Sequence, residues 1–521
     1  MEPLTGGAER VSLGGNVSLI APGLKGNARL LSGVIGDVRA AEESSDLLDE
    51  ALARADMRGL RTVEIRAAAV PTPPAADLRD SRGDGALMLE VPDLGEDAEQ
   101  VVLSVDEAGA MTWHFATDVH TVDDVDDVPV RTPTGGAGTM RGAQTRRFII
   151  NRSVPQSDDT DAGTHRALFG ALGRKLLKVL VFPVSDALLN KPARVLAERW
   201  EANNRTYGLR RFTPDNYRLP SSTPSERDAL ALTRDDASAL AAGRALMFVH
   251  GTFSTAHGGF HDMPPALMQE FYQRYHGRVF AFNHFSLSHD PVENVRQFNN
   301  LLQQVLPSGT LDVDIVAHSR GGLVARTLAD GADAFGLDTS RISVHRAVFA
   351  GVPNSGTPLA RPEHMIEMID RLTTGLNVVP AGGVADILEG LLIAVKIIGH
   401  GALKALAGLR AMDPDGDFLR TLNRPGRRHD GFLAIAANYE PKDSGLKSLV
   451  GRATNSVVDR VFEQAGNDLV VPERGVYEVN GCDSFPIAGD RCLRLPASAG
   501  IMHTGMFGNP EVAARLRDWL V

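Results

Sequence analysis

Residues 313–323 read Val-Asp-Ile-Val-Ala-His-Ser-Arg-Gly-Gly-Leu. An apolar alternating run ends in a serine with small residues, Ala317 and Gly321, two positions away on either side, and a helix-like run from Leu323 to Leu328 follows. This pattern predicts a strand, a sharp turn and a helix, with Ser319 at the turn. Such a turn forces the serine into a strained backbone conformation with its hydroxyl exposed. Small neighbours are needed because strand and helix pass close together. The usual form is G-x-S-x-G, and Ala317 stands at its first glycine, where a methyl group still fits. A plain Ser-Gly helix start after a buried strand gives a similar string, so reading Ser319 as a nucleophile requires partners elsewhere in the chain.

With 521 residues, 43% of them hydrophobic and 23% charged, the chain has the composition of a globular protein of two to four domains. A formal net charge of -11 argues against a nucleic-acid binder, which would carry a basic face. Two cysteines, Cys482 and Cys492, are too few for a disulfide framework and read as free thiols of a reducing compartment. The start, Met-Glu-Pro-Leu-Thr-Gly-Gly-Ala-Glu-Arg, lacks a basic segment followed by an apolar one, so no signal peptide is expected and the expected location is cytoplasmic. Residues Ala385 to Leu409 are apolar but carry Asp386, Glu389, Lys396, His400 and Lys404, which argues against a membrane span.

Residues 1–155 show short apolar runs with period-two alternation: Val11 to Ile20, Arg61 to Val70, Ala86 to Val91, Val101 to Val105, Met111 to Phe115 and Arg147 to Ile150. They predict a β-rich N-terminal domain, with an exposed loop at 71–74. The acidic run 122–127 lacks calcium-loop spacing and reads as a solvated loop. Residues 156–242 are expected to be a linker (156–165) and a helical connecting region, with Leu168, Leu172, Leu176, Leu177, Leu180, Leu188, Val195 and Trp200 as its apolar positions. From 243 to 521 strands and helices alternate, which predicts an α/β fold with a mostly parallel sheet. Its strands are expected at Ala245–Val249, Arg278–Phe282, Asp312–Ala317, Ser343–Ala350 and Phe432–Ala437. Its helices are expected at Pro265–Tyr275, Val292–Val305, Gly322–Asp330 and Glu511–Leu520.

A serine hydroxyl is a weak nucleophile without a base, and the base needs a carboxylate to orient it. In elbow architectures the acid and then the histidine follow the serine along the chain. Asp468, in Gly-Asn-Asp-Leu-Val-Val-Pro, is the acid of choice, with Asp459, Asp483 and Asp490 as rivals. His503, in Gly-Ile-Met-His-Thr-Gly-Met-Phe, is the base of choice. His345, His364, His400 and His429 fit less well, because they fall in a strand, in an insertion, or before the acid.

These pieces, together with His250-Gly251, Gly351-Val352-Pro353-Asn354-Ser355-Gly356-Thr357-Pro358 and Asn467-Asp468-Leu469-Val470-Val471-Pro472, resemble the α/β-hydrolase superfamily on its lipase and esterase side, over about residues 243–521. The resemblance implies an α/β-hydrolase domain with an eight-stranded, mostly parallel sheet, and hydrolysis of an ester or thioester through an acyl-enzyme. It implies an oxyanion hole from the backbone N–H groups of Thr252 and Arg320. His250 would brace the loop, and the side chain of His318 would point away from the reacting centre. No organic cofactor or catalytic metal is implied. Some bacterial lipases hold a structural calcium ion, but matching ligands are not evident in this sequence.

Residues 362–428 are too long for one connection and are expected to form a helical cap or lid insertion. Ile387, Leu391, Leu392, Val395 and Ile398 fall at helical spacing there. Such a cap could line an acyl-chain pocket and touch a membrane surface transiently. Asn283, His284, Ser286, Ser288 and His289 could border the cleft; the histidine spacing is a weak metal signal. The leading expectation is a serine hydrolase cleaving carboxylic esters, with lipid-like or acylated small molecules as substrates. The alternatives are a thioesterase or protein deacylase, and a non-catalytic hydrolase-like scaffold in a bacterial assembly with a protein partner for the N-terminal domain.

Overall fold

A computed structural model describes residues 1–31, 44–67, 86–95, 97–106, 110–117, 145–150, 174–184, 193–219, 229–378, 384–401, 406–426, 428–439, 462 and 466–520. The expected loop at 71–74, the acidic run 122–127, the linker 156–165 and the rival acid Asp459 lie outside the described residues.

The N-terminal part contains β1 (Glu2–Thr5), β2 (Arg10–Gly14), β3 (Val17–Ile20), β4 (Lys25–Leu31), α1 (Ser44–Arg54), β5 (Arg58–Ala67), β6 (Leu87–Pro92), β7 (Ala98–Asp106), β8 (Met111–Phe115), β9 (Thr145–Ile150) and β10 (Arg174–Pro183). Two antiparallel sheets form, in the orders β1-β4-β5-β10-β7-β8 and β2-β3-β6-β9. Leu19, Leu89 and Phe148 of one meet Val63, Val102 and Val179 of the other in a shared core. β10 corrects an expectation. Its residues had read as helical, yet it is a strand between β5 and β7. A central strand buried on both faces loses its alternation, so its apolar run resembles that of a helix.

The rest of the chain supplies α2 (Ala193–Asn204), β11 (Gly208–Arg211), α3 (Arg234–Ala241), β12 (Ala245–Val249), α4 (Pro265–Arg274), β13 (Val279–Asn283), α5 (Pro291–Val305), β14 (Leu311–His318), α6 (Gly321–Ala329), β15 (Ile342–Ala350), α7 (Met365–Val378), α8 (Val384–Gly399), β16 (Phe432–Ala437), β17 (Cys492–Leu495) and α9 (Pro510–Leu520). The sheet order is β11-β13-β12-β14-β15-β16-β17, parallel throughout except for β11, which runs antiparallel at the edge. Seven strands, not eight, are present among the described residues, and β11 enters from the connecting region 156–242. The runs ALMFV, VFAFN and FLAIAA are buried at every position because helices cover both faces. Met247, Phe280 and Ile315 pack with Phe298 of α5 and Leu323 of α6, while Phe248, Val316 and Val348 pack with Phe271 of α4 and Leu516 of α9.

α7 and α8 lie between β15 and β16, where the insertion was expected, and both touch the six-stranded sheet. Trp113 N–H of β8 donates to Asp370 Oδ1 at 2.7 Å. Burial holds the Asp370 carboxyl well above the ordinary carboxylate range, against the lowering effect of that bond. No helix among the described residues is long and apolar enough to cross a membrane. Cys482 and Cys492 are unbridged.

A carboxyl whose folded pKa is raised contributes stability that is complete below its unfolded pKa of about 4 and is lost as pH rises toward the folded value. Asn keeps the acceptor for Trp113 and does not titrate. Asp370→Asn is therefore expected to gain stability relative to wild type between pH 4.5 and pH 7.5, read as the difference in urea midpoints. A difference that stays flat or shrinks contradicts the buried-acid assignment.

Candidate active site

The chemistry-bearing residues collect at the C-terminal ends of the parallel strands, where loops are free to converge. β12 and β14 pair with Val249 opposite Ala317, which sets His250-Gly251 beside His318-Ser319. Ser319 follows β14 directly and has φ of 51°, left-handed for a residue with a side chain. α6 begins two residues later. At Gly321 a Cβ would stand 2.3 Å from the His250 carbonyl oxygen and 2.5 Å from that of Val249, so only glycine lets the elbow and the β12 end approach.

Asp468 lies in the connection after β16, and His503 in the connection between β17 and α9. The three side chains meet. His503 Nε2 is 2.8 Å from Ser319 Oγ, and His503 Nδ1 is 2.8 Å from Asp468 Oδ2. The second carboxylate oxygen accepts the N–H groups of Val470 at 3.1 Å and Val471 at 2.7 Å, which fixes its orientation. His503 N–H also donates to the Asp468 carbonyl at 3.0 Å, locking one loop to the other. A carboxylate only accepts, so the Nδ1 proton points to Asp468 and Nε2 is left to accept the serine hydroxyl. All three residues are buried.

The described rival residues have other neighbours. The Asp483 carboxylate accepts Gly426 N–H, the Asp490 carbonyl accepts Trp519 Nε1–H, and His429 Nε2 meets the Val344 carbonyl. His345 sits 3.6 Å from Asp312 and His364 3.5 Å from Glu367.

Thr252 borders the same cavity as Ser319, and its buried Oγ1 has no partner among the described residues. Arg320 turns its buried guanidinium away, where it donates to Gly408 O at 2.8 Å, to Asn294 Oδ1 at 2.9 Å and to His289 O. Burial lowers its pKa to about 10. His250 braces the loop, donating from Nδ1 to Gly251 O at 2.8 Å and accepting His284 N–H on Nε2 at 3.1 Å. The rings of His250 and His284 stack at 4.2 Å, and burial lowers both pKa values, that of His284 to about 3.

Two expectations change. His318 does not point away. Its Nε2–H donates to His503 O at 3.0 Å, its ring lies 4.9 Å from that of His503, and it lines the cavity. Burial lowers its pKa to about 3, so it serves as a neutral brace for the histidine loop. Asn283, His284, Ser286, Ser288 and His289 are absent from the cavity wall. Instead Glu201 of α2, which sequence reasoning passed over, accepts the N–H groups of Ser286 at 2.6 Å, Leu287 at 2.9 Å and Ser288 at 2.9 Å, holding that loop under the site. Nothing local distinguishes Glu201 from an ordinary surface glutamate of a helix. No cluster of metal-ligating side chains is found among the described residues.

The cavity measures about 40 Å³. Ser319, His503 and Thr252 face Met368, Leu372, Ile387, Met412 and Val470 across it.

The family model described as Domain of unknown function (DUF7379) matches residues 204–521, more than half of the chain. No curated protein sequence matches. Among solved structures, the chain is similar to lipase 1 from Pelosinus fermentans at 12% identity and a TM-score of 0.35, covering 53% of this chain and 97% of that one. It is similar to a hydrolase from Pseudomonas aeruginosa at 16% identity and a TM-score of 0.30, covering 54% and 90%. It is also similar to a thermophilic esterase from Thermogutta terrifontis at 14% identity and a TM-score of 0.27, covering 53% and 89%. At such scores the likeness adds nothing to the chemistry, which rests on the side chains themselves.

Gly321→Ala is expected to force the β12 end away from the elbow, at a cost of about 1–3 kcal/mol. Urea unfolding measures this, and stability equal to wild type contradicts the close approach.

Proposed function

The chain belongs to the DUF7379 family, and we propose that its site is that of a serine hydrolase of α/β-hydrolase type, cleaving carboxylic esters of small apolar or acylated molecules. The observation that carries this reading is the unbroken hydrogen-bonded relay Asp468–His503–Ser319 beside an apolar cavity.

In this reading Ser319 Oγ attacks the ester carbonyl carbon while His503 Nε2 takes the hydroxyl proton. The negative charge on the carbonyl oxygen is held by the N–H groups of Thr252 and Arg320, each donor being worth about 3 kcal/mol in the transition state. The tetrahedral adduct collapses, the C–O bond to the alcohol breaks, and the alcohol leaves with the proton from His503. Water then attacks the acyl-enzyme, giving its proton to the same nitrogen, and the acid departs as Ser319 recovers its hydrogen. Asp468 keeps the imidazole in the tautomer that accepts from serine and stabilises the imidazolium. His318 and Glu201 take no proton; they hold the loops that carry the reacting groups.

A fluorophosphonate probe and p-nitrophenyl butyrate test the assignment. Wild type is expected to label and turn over, and Ser319→Ala to do neither. His503→Ala and Asp468→Asn are each expected to lose about 10⁴-fold or more in kcat, with the Ser319→Ala/His503→Ala double variant losing little beyond either single one. Full activity in Asp468→Asn contradicts the acid assignment. Labelling of Ser319→Ala contradicts the nucleophile.

A further inference from the structure

α7 lies between two surfaces. At about 100° per residue, Met368 and Leu372 point to one side of the helix, and Asp370, Thr373 and Thr374 to the opposite side. The first pair lines the cavity that holds Ser319 and His503. The second group binds β8, the last strand of the six-stranded sheet, at Met111 and Trp113. Asp370 Oδ1 accepts Trp113 N–H at 2.7 Å. Thr373 Oγ1 accepts the Trp113 indole N–H at 3.2 Å. Thr374 Oγ1 accepts Met111 N–H at 3.0 Å and donates to Met111 O at 3.1 Å. The bonds satisfy backbone groups that an uncovered sheet edge would leave open. All three side chains are buried, so the joint is dry.

α8 repeats the arrangement. Ile387 lines the cavity near its first turn, where Asp386 Oδ2 accepts Thr255 Oγ1–H at 2.8 Å, on the loop that carries Thr252. Near its last turn Lys396 Nζ donates to Ala55 O at 2.7 Å and lies 5.3 Å from the Phe182 ring centre. Gly399 backs onto Val101 and Phe182, where an added Cβ would meet carbon at 3.0 and 3.4 Å. Both helices that wall the cavity are thus fastened to the N-terminal sheet.

The cavity is small. At 40 Å³ it has room for about three water-sized groups. Enlarging it on the α7 side beyond what new rotamers of Met368 and Leu372 allow means shifting the helix, and a shifted helix breaks the β8 joint.

We propose that the β8 edge sets the size of the acyl group this enzyme accepts, with Asp370, Thr373 and Thr374 as positioning residues that act through Met368 and Leu372. With the joint closed, the site takes esters of short acyl groups of about two to four carbons. Longer chains enter only when α7 parts from β8. The proposal rests on the hydrolase reading above and names its substrate class and the role of the N-terminal sheet.

The test is kcat/KM of the full chain on p-nitrophenyl acetate, butyrate and octanoate. Wild type is expected to favour the two short esters over octanoate by about tenfold or more. Asp370→Ala and Thr374→Val are expected to raise the octanoate-to-acetate ratio about threefold or more, and Asp370→Asn, which keeps the acceptor for Trp113, is expected to retain the wild-type ratio. An unchanged ratio in the first two variants, or an equal loss on all three esters, overturns the proposal while leaving the hydrolase reading intact. If those variants fail to fold, hydrogen exchange on wild type decides. Octyl fluorophosphonate on Ser319 is expected to speed exchange at the Met111 and Trp113 amides relative to an ethyl analogue, and equal exchange overturns the proposal. No turnover and no labelling of Ser319 in any form overturns the hydrolase reading and this inference together.

Discussion

The site depends on one backbone constraint, the left-handed turn at Ser319 wedged against the end of β12. Such a conformation costs about 1–3 kcal/mol and persists only where its surroundings leave no alternative. Here parallel pairing with β12 and β15 fixes β14, Ser319 N–H donates to Ala350 O, and α6 is buried along its whole length. The strand end and the helix start cannot relax independently. The hydroxyl is therefore presented to whatever the loops after β16 and β17 bring to it, and they bring a carboxylate and an imidazole.

The surroundings of that relay are buried, and the imidazoles among them are neutral. His250, His284 and His318 are buried with lowered pKa values, so each binds as a neutral ring rather than through charge. Neutral imidazoles can tie loops together without adding positive charge that would oppose formation of the His503 imidazolium. The buried guanidinium of Arg320 is held by carbonyls and Asn294 on the far side of the elbow. Glu201 takes three amide N–H groups of the neighbouring loop. The polar network thus anchors the two loop systems from beneath, while the cavity above it stays mostly apolar.

Much of the α/β half was legible because its signals are local. β12 and β16 fall on the residues expected, and β13, β14 and β15 lie within a residue or two, since continuous apolar runs bounded by turn residues leave little freedom. The edge strands β1 and β11, and β4 between β1 and β5, carry polar, broken patterns such as Lys-Gly-Asn-Ala-Arg and gave no signal. β10 was misread because the second sheet covers one of its faces and α8 the other, which erases its alternation. Around the serine, residue type and chain order were enough to single out Asp468 and His503. The inward turn of His318 depends on where the His503 carbonyl lies, 185 residues away, which no local pattern reveals. The joint between α7 and β8 is equally hidden, with partners more than 250 residues apart.

Whether Ser319 carries the acyl group between two steps of hydrolysis is tested by quenching the enzyme in acid during turnover of p-nitrophenyl acetate and locating the adduct by tandem mass spectrometry. An acetyl group is expected on Ser319 in wild type and none on the corresponding peptide of Ser319→Ala. Rapid hydrolysis by wild type with no acetyl group on Ser319 at any quench time, or undiminished hydrolysis by Ser319→Ala, would contradict Ser319 as the acyl carrier.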